Sequence, residues 1–375
     1  MSQTNRIQYL DGLRGIAISF VLLFHAFSRW PNIVPFGSEF AEVPVFFHGW
    51  LGVQLFFMIS GYVIFMSLEK SQNLHGFLIR RWIRLFPAML VCSLIIFATA
   101  SFFQERPAGA PVLRDLLPGL TFIEPYWWQL ILGSPQGELE GVFWSLYVEV
   151  KLYLVAGILY FTIGGQRMIW VLVGLFLVAT AVLFFNQFFV DNGLGQAKII
   201  LNALSGRPCG WFAIGALFYR FHNEGKKNVL AAAILVAVIT ALAQGKPDYG
   251  FKPYDWGVTF AAFIFVLIFV AAILNDRVKQ VFSTRLLLLM GFVSYPLYLL
   301  HENMMVSLIV KTNLILPQIP SILLPAIPIM FVVGVAWLVA KFIDAPARDW
   351  LKKRHMKLQT SKPVYLMQSK SPNMQ

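Results

Sequence analysis

Residues 257 to 274 read GVTFAAFIFVLIFVAAIL and contain no charged side chain. A helix of about 20 apolar residues crosses the hydrocarbon core of a bilayer, because each residue adds about 1.5 Å. This stretch therefore predicts a transmembrane helix, and similar runs recur along the chain. Of the 375 residues, 58% are hydrophobic and 13% are charged, so most of the protein is expected to lie in lipid.

About ten such runs predict an all-α integral membrane protein. Their approximate limits are 10–29, 45–67, 85–103, 142–163, 168–189, 198–219, 228–244, 257–274, 286–310 and 321–343. Lys and Arg concentrate in alternate connections, which assigns those connections to the cytoplasm. Both termini are therefore predicted to be cytoplasmic. Residues 351–375 are expected to form a basic, disordered cytoplasmic tail.

The formal net charge of +12 comes from these short basic clusters between apolar runs. Such a distribution orients a membrane protein and contacts membrane lipids, so we do not expect nucleic acid as a partner. Cys92 and Cys209 lie in apolar runs without the spacing of a metal site. No metal and no permanently bound cofactor is expected.

Among the ionisable residues within the predicted spans, four stand out: Arg14, His25, Glu149 and His301. Burying such groups in lipid costs several kcal/mol, so each is a candidate functional residue. Arg14 and His25 are eleven positions apart, about 1100° of helix, and therefore share one face at a separation of about 16 Å. Asp11 is placed to pair with Arg14. The alternatives are an end-of-helix cation for Arg14 and a backbone-bonded neutral histidine for His25.

Counting residues from each predicted helix start places His25, Glu149 and His301 at one level in the outer half of the bilayer. A carboxylate beside histidines in a site of low dielectric constant orients an imidazole and tunes it as a base. We therefore expect Glu149 to assist His25.

Two further motifs have both a functional and a structural interpretation. Ser60 and Gly61 in the second span permit close approach of a ligand, or of another helix. The cluster Arg80, Arg81 and Arg84, with Trp82 among them, suits the phosphates of a cytoplasmic donor. It also suits an anchor on anionic lipid.

Five segments in this order resemble the membrane acyltransferase-3 family, many of whose members O-acetylate bacterial surface polysaccharides, lipopolysaccharide or peptidoglycan. They are Tyr9 to Gly15 with His25, Phe56 to Gly61, Arg81-x-x-Arg84, Trp144 to Glu149, and Ser294 to His301, which includes Tyr298. The resemblance covers roughly residues 6–350, so residues 1–350 are expected to form a polytopic acyltransferase domain. Two places depart from the family: Val150 and Lys151 replace a second acidic residue, and Asp344-Ala345-Pro346 replaces Glu-x-Pro.

The resemblance implies acyl-CoA, specifically acetyl-CoA, as the donor substrate. The implied acceptor is a sugar hydroxyl of a cell-surface or exported glycan, or of a lipid-linked sugar, at the inner membrane of a bacterium. No fused extracytoplasmic hydrolase-like domain is expected, so the membrane unit would meet the acceptor directly or pass the acyl group to a separate protein.

The resemblance also implies roles for the candidate residues. His25, Glu149 and Arg14 would be catalytic, and Arg80, Arg81, Arg84 and Trp82 would bind the donor. Asp11, Ser60, Gly61, Trp144, Tyr298 and His301 would support them. Direct transfer and a transient acyl-enzyme on Tyr298 both remain open.

Two rival functions fit the same composition. The first is a proton-coupled transporter or flippase, in which buried His, Glu and Arg relay protons. The second is an acyltransferase of a small lipid or antibiotic.

Overall fold

The computed structural model describes residues 7–185, 194–247 and 253–360. These residues form helices, turns and loops without any strand, which confirms the all-α prediction. The helices are α1 (Gln8–Phe27), α2 (Pro44–Phe47), α3 (Gly52–Glu69), α4 (Leu74–Thr99), α5 (Leu116–Thr121), α6 (Pro125–Leu132), α7 (Trp144–Ile163), α8 (Gly165–Phe185), α9 (Leu194–Ala203), α10 (Pro208–Glu224), α11 (Lys227–Gln244), α12 (Trp256–Leu274), α13 (Asp276–Phe282), α14 (Arg285–Ile315), α15 (Ala326–Val339) and α16 (Ala345–Thr360).

Within the described residues, 8 segments are long and apolar enough to cross a bilayer. They are α1, α2 with α3, α4, α7, α8, α11, α12, and α15 with α16. Helices α13 and α14 meet at an angle of 65° and make a ninth segment when counted as one span. The predicted architecture of many spans is therefore present.

The predicted span near 198–219 is divided into two helices. Helix α9 ends at Ala203 and α10 begins at Pro208, with Ser205 between them at a φ of 55°. A left-handed residue and a proline that lacks an N–H interrupt the helical hydrogen bonds. Helix α10 has 17 residues, and residues 209–219 are all buried. Its uniformly apolar character thus reflects packing inside the bundle.

The predicted disordered tail is wrong over its first part. Helix α16 continues to Thr360, so residues 351–360 are helical. The run from 351 to 357 is rich in Lys, Arg, Leu and Met, which have good helix propensity. Residues 361–375 of the predicted tail lie outside the described residues.

Side-chain caps define where several helices start. The side chain of Asn73 accepts a hydrogen bond from the Gly76 N–H at 2.8 Å, at the start of α4. Asp255 accepts one from the Val258 N–H at 3.0 Å, at the start of α12. Each cap satisfies a backbone donor that has no partner within its helix.

Helices α1 and α14 cross with their backbones nearly touching. A Cβ on Gly291 would lie 1.9 Å from the carbonyl oxygen of Asp11, and a Cβ on Gly15 would lie 2.4 Å from that of Leu287. Only glycine fits such contacts, and small residues are the usual means of close helix approach in membranes. This crossing determines which side chains of α1 and α14 meet.

Candidate active site

The two predicted histidines meet where α1 faces α14. Nδ1 of His25 lies 3.3 Å from Nε2 of His301, and the two rings form an edge-to-face pair with centroids 4.8 Å apart. Both side chains are buried, with His301 fully so. Helix packing therefore joins two residues that lie 276 positions apart in sequence.

Carbonyl contacts determine the tautomers of the neutral rings. Nδ1 of His301 lies 2.9 Å from the Tyr298 carbonyl oxygen, and a carbonyl only accepts, so Nδ1 donates and Nε2 is left as an acceptor. Nδ1 of His25 lies 2.9 Å from the Val21 carbonyl oxygen, so it also carries a proton. That proton is shared with Nε2 of His301. In neutral His25, Nε2 consequently holds a free lone pair.

The carboxyl group of Glu302 faces Nε2 of His25. Its Oε1 lies 3.5 Å from Nε2 of His25, and the side chain is only 3% exposed. Trp30 Nε1 donates to Oε1 at 3.2 Å, and the Val142 N–H donates to Oε2 at 3.0 Å. A lone pair and a carboxylate that face each other either share a proton or take one from a third group. The pair can therefore act as a base whose imidazolium is stabilised by a fixed negative charge.

Glu149 has different partners from those expected. Its carboxylate accepts hydrogen bonds from the hydroxyls of Ser60 and Tyr153. The carboxylate in contact with His25 is that of Glu302, which was not among the predicted site residues. The sequence does mark Glu302 as a candidate, because it is a charged residue inside a predicted span and directly follows His301.

A cavity of about 70 Å³ lies between α1, α3, α4, α7 and α14, and neither histidine nor Glu302 lines it. The polar residues that line it are Arg14, Ser60, Arg84, Ser145, Glu149, Ser294, Tyr295 and Tyr298. Arg14 donates to Asp11 at 2.8 Å, which is the predicted ion pair. Helix α1 thus presents Arg14 to the cavity and His25 to the histidine pair, and both residues face α14.

Tyr298 connects the cavity with the histidines. Tyr298 lines the cavity, and its hydroxyl donates to the Val142 carbonyl oxygen at 3.0 Å and lies 2.7 Å from Ser145 Oγ. Because the tyrosine proton goes to the carbonyl, Ser145 is the donor in the second bond. The ring of Tyr298 also contacts that of His301, with centroids 5.7 Å apart.

The basic cluster on α4 is only partly directed at the cavity. Arg84 lines it and has no hydrogen-bond partner among the residues that the structure describes. Arg81 Nη2 donates to Ser67 Oγ at 2.6 Å, while its Nε and Nη1 are buried without partners in the described part of the chain. The Arg81 guanidinium also lies over the ring of Tyr153, at 5.9 Å from the centroid. Two buried donors and one free guanidinium suit an anionic ligand.

Four predicted residues lie away from this cavity. Arg80 is bonded to Ser71. Trp82 is 44% exposed and stacks on Phe86. A Cβ on Gly61 would lie 1.9 Å from the Phe212 carbonyl oxygen, so Gly61 packs α3 against α10. Trp144 is 46% exposed and lines a separate groove.

The segment between α4 and α7 closes over Glu302. Asn303 holds it at three points: its backbone N–H donates to Glu140 at 3.1 Å, its Nδ2 to the Leu139 carbonyl at 2.8 Å, and its Oδ1 accepts from the Ala108 N–H at 3.0 Å. Burial and the nearby charge of Glu302 raise the pKa of Glu140 well above its ordinary value. The same two causes, in that order, raise the pKa of Glu138 to about 7.

The fold and the site together define a polytopic helical membrane protein with a buried His–His–Glu cluster and an arginine-lined cavity, with Tyr298 between them. The family model described as an acyltransferase domain matches residues 7–342. The chain therefore belongs to the acyltransferase-3 family, as the sequence motifs predicted.

Several curated proteins are similar to this chain. A Staphylococcus aureus (strain COL) protein named "Putative O-acetyltransferase" is 22% identical over 393 residues, which cover 96% of this chain and 59% of the relative. The O-acetyltransferase OatA of S. aureus is 25% identical over 362 residues, covering 90% and 57%. The peptidoglycan O-acetyltransferase OatA of Listeria monocytogenes is 30% identical over 162 residues, covering 39% and 23%. The chain thus spans less than two thirds of these relatives, and no solved structure matches it.

Proposed function

We propose that this protein is a membrane O-acetyltransferase that moves an acetyl group from cytoplasmic acetyl-CoA to a sugar hydroxyl of a cell-surface or exported glycan, at the inner membrane of a bacterium. The observation that carries the proposal is the contact between His25 Nε2 and Glu302 Oε1, in the interior of an acyltransferase-family bundle. The names of the relatives support the acetyl group and the glycan.

The donor is proposed to enter from the end of the bundle that carries Arg81 and Arg84. Arg84 lines the cavity and Arg81 has buried donors without partners, so both can bind the phosphates of CoA. Arg80 adds positive charge at this surface. The pantetheine arm would follow α1 from Arg14 towards His25, a distance of about 16 Å.

Transfer then follows from the proton balance at His25. The acceptor hydroxyl donates its proton to Nε2 while its oxygen attacks the thioester carbon, because an alcohol is a poor nucleophile without a base. Glu302 stabilises the imidazolium. Arg14, about 16 Å from His25 along α1 and paired with Asp11, would hold a phosphate of the donor at the entrance to the site. Collapse of the tetrahedral intermediate breaks the carbon–sulfur bond. The CoA thiolate leaves and takes the proton from His25.

Direct transfer is favoured over an acyl-enzyme on Tyr298. The Tyr298 hydroxyl already donates to the Val142 carbonyl and accepts from Ser145. Acylation would break both bonds inside a closed site, at a cost typical of buried polar groups left without partners.

The test compares purified wild type with His25→Ala and His25→Gln in liposomes. In the liposomes we expect release of free CoA from acetyl-CoA by the wild type only. In cells we expect O-acetyl groups on the host glycan, detected by NMR or mass spectrometry, with the wild type only. Normal acetylation by both variants would exclude His25 as the base. Proton-coupled movement of a solute without any release of CoA would favour the transporter class.

A further inference from the structure

A short helical hairpin lies in the segment that joins α4 to α7. Helices α5 and α6 have 6 and 8 residues, so neither can cross a bilayer, which takes about 20 residues. Phe122, at a φ of 57°, ends α5, and the chain turns back into α6 after Glu124. The two arms are joined at their open ends, where Gln136 Nε2 donates to the Arg114 carbonyl oxygen at 3.0 Å. We call residues 116–132 the α5–α6 hairpin.

The turn of the hairpin lies against the middle of the α7 span. Glu124 Oε1 is 2.7 Å from Lys151 Nζ. Lys151 comes nine residues after Val142, about 13 Å along the helix. The Val142 N–H donates to Glu302 at the level of His25, which lies two residues before the end of α1. The turn is therefore well below the end of the bundle that carries His25, inside a hydrocarbon core about 30 Å thick.

Contacts with α4 indicate a similar depth. A Cβ on Gly119 of α5 would lie 3.3 Å from Met89 Sδ and 3.4 Å from Ser93 Oγ. Ser93 lies six residues before the end of α4 at Thr99, about 9 Å along the helix, and Met89 lies about 6 Å deeper. Two different neighbours thus place the hairpin inside the layer that α4 and α7 cross.

The face of α6 that points away from the bundle is apolar. Tyr126, Leu130 and Ile131 are 55%, 60% and 67% exposed, and α6 contains no charged side chain. An exposed apolar patch marks an interaction surface. The neighbouring surface of α7 is also apolar, because Leu154, three residues after Lys151 and on the same side of the helix, is 43% exposed. At this depth both surfaces face acyl chains.

The turn of the hairpin keeps its polar groups bonded within the protein. Phe122 is buried, and its N–H donates to the Gly119 carbonyl oxygen at 3.3 Å. Trp128 Nε1 donates to Thr121 Oγ1 at 3.0 Å, and that hydroxyl donates to the Leu117 carbonyl oxygen at 2.6 Å. Irregular backbone is tolerated at membrane depth only where protein satisfies its polar groups. The hairpin meets this condition.

We propose that the α5–α6 hairpin is a re-entrant element, which enters the bilayer at the His25 end of the bundle and leaves it on the same side. Its partner is the hydrocarbon of that leaflet, which α6 contacts. With both termini predicted to be cytoplasmic, this is the outer leaflet. The hairpin continues into residues 139–142, which bond Glu302 and Asn303, so the lipid surrounds an element that supports the candidate base.

The test is spin-label accessibility in liposomes, with Cys92→Ala and Cys209→Ala removing the two native thiols. Nitroxides are attached at Ile123→Cys in the turn and at Leu130→Cys on α6, both exposed positions. Molecular oxygen concentrates in hydrocarbon, whereas a nickel chelate stays in water. We expect oxygen to relax both labels and the nickel chelate to lose access to them. The ratio of oxygen to nickel relaxation should be higher at Ile123→Cys, because the turn lies deeper.

Leu154→Cys on α7 is the matched control in lipid, and Ser38→Cys in the exposed loop after α1 is the control in water. Hairpin labels that behave like Leu154→Cys support the proposal. Access of the nickel chelate equal to that at Ser38→Cys would overturn it, and so would shielding from both reagents, which would place α6 against protein. Thermal unfolding confirms that each labelled variant is folded. No acetyl-CoA is involved, so the result is independent of the proposed activity.

Discussion

Nε2 of His301 accepts the proton that Nδ1 of His25 carries, across 3.3 Å. The two histidines lie on α1 and α14, which approach closely at Gly291. The bond between them leaves Nε2 of His25 facing Glu302, so the chemistry of the site depends on the crossing of two helices.

The first prediction tests that crossing. Gly291→Ala would place a Cβ 1.9 Å from the Asp11 carbonyl oxygen, so the two helices must separate. We expect a loss of stability of about 1–3 kcal/mol or more, the usual cost of overpacking, and loss of acetyl transfer. Thermal unfolding in detergent and release of CoA measure the two effects.

Gly334→Ala on α15 is the control for this substitution, because no atom lies within 4 Å of the added Cβ. It should be neutral, or stabilising by up to about 1 kcal/mol from helix propensity. Equal unfolding temperatures for the two variants would show that the α1–α14 contact is looser than described.

The second prediction concerns Glu302. Glu302→Gln keeps the size of the side chain but removes the negative charge that stabilises an imidazolium at His25. The two carboxylate oxygens accept from Trp30 and Val142, so the NH2 of the glutamine would face one of these donors. We expect kcat to fall by about 10²-fold or more, the range for general base catalysis, with less change in the KM for acetyl-CoA. Steady-state kinetics of CoA release measure it.

Glu105→Gln provides the comparison for Glu302→Gln. Glu105 lies between α4 and α5 and binds Ser307 and Lys311 of α14, the helix that also carries Glu302. Its substitution should leave kcat within about twofold, because Glu105 bonds to Ser307 and Lys311 and to no member of the His25, His301 and Glu302 cluster. If Glu302→Gln behaved in the same way, the pairing of Glu302 with His25 would have no catalytic role.

The third prediction concerns the donor. Arg84→Gln removes a guanidinium that lines the cavity and has no hydrogen-bond partner among the described residues. We expect affinity for acetyl-CoA to fall by about tenfold or more, because a charge-assisted bond to phosphate is lost. Isothermal titration calorimetry measures it, with the exposed Arg277→Gln as control. An unchanged affinity would assign Arg84 to anchoring on lipid instead.

The fourth prediction is a pH dependence. Burial, followed by the charges of Glu302 and Glu124, raises the pKa of Glu138 from 4.5 to about 7. Between these values the folded protein holds a proton that the unfolded chain releases, so this residue stabilises the fold less as pH rises. Glu138→Gln should therefore flatten the decline of the unfolding temperature between pH 4.5 and 7. A steeper decline in the variant would contradict this assignment.

The sequence predicted membrane helices well because lipid imposes length and composition on any span. The predicted span near 198–219 corresponds to α9 and α10, and residues 209–219 are buried in the bundle although they are as apolar as those of a lipid-facing helix. Apolar side chains satisfy protein and lipid surroundings equally, so composition cannot distinguish the two. The break at Ser205 and Pro208 reveals the difference only once the neighbouring helices are placed.

Local spacing was sufficient for contacts within one helix. The ion pair of Asp11 with Arg14, and the common face of Arg14 and His25, both follow from the helical repeat. The helical repeat could not predict which carboxylate contacts His25. Depth arithmetic placed Glu149 beside His25, whereas Glu149 bonds to Ser60 and Tyr153 and lines the cavity with Arg14. Depth does not determine which helices are neighbours.

Tertiary packing made that choice. The contact of α1 with α14 brings Glu302 to His25, and the segment before α7 brings the Val142 N–H to Glu302. The side chains of α3 and α7 direct Glu149 to Ser60 and Tyr153. Helical periodicity is a property of a single helix and can be read from the sequence. The contact between His25 and Glu302 instead requires two helices to pack at a particular separation. Only glycine-mediated packing of α1 on α14 supplies that distance.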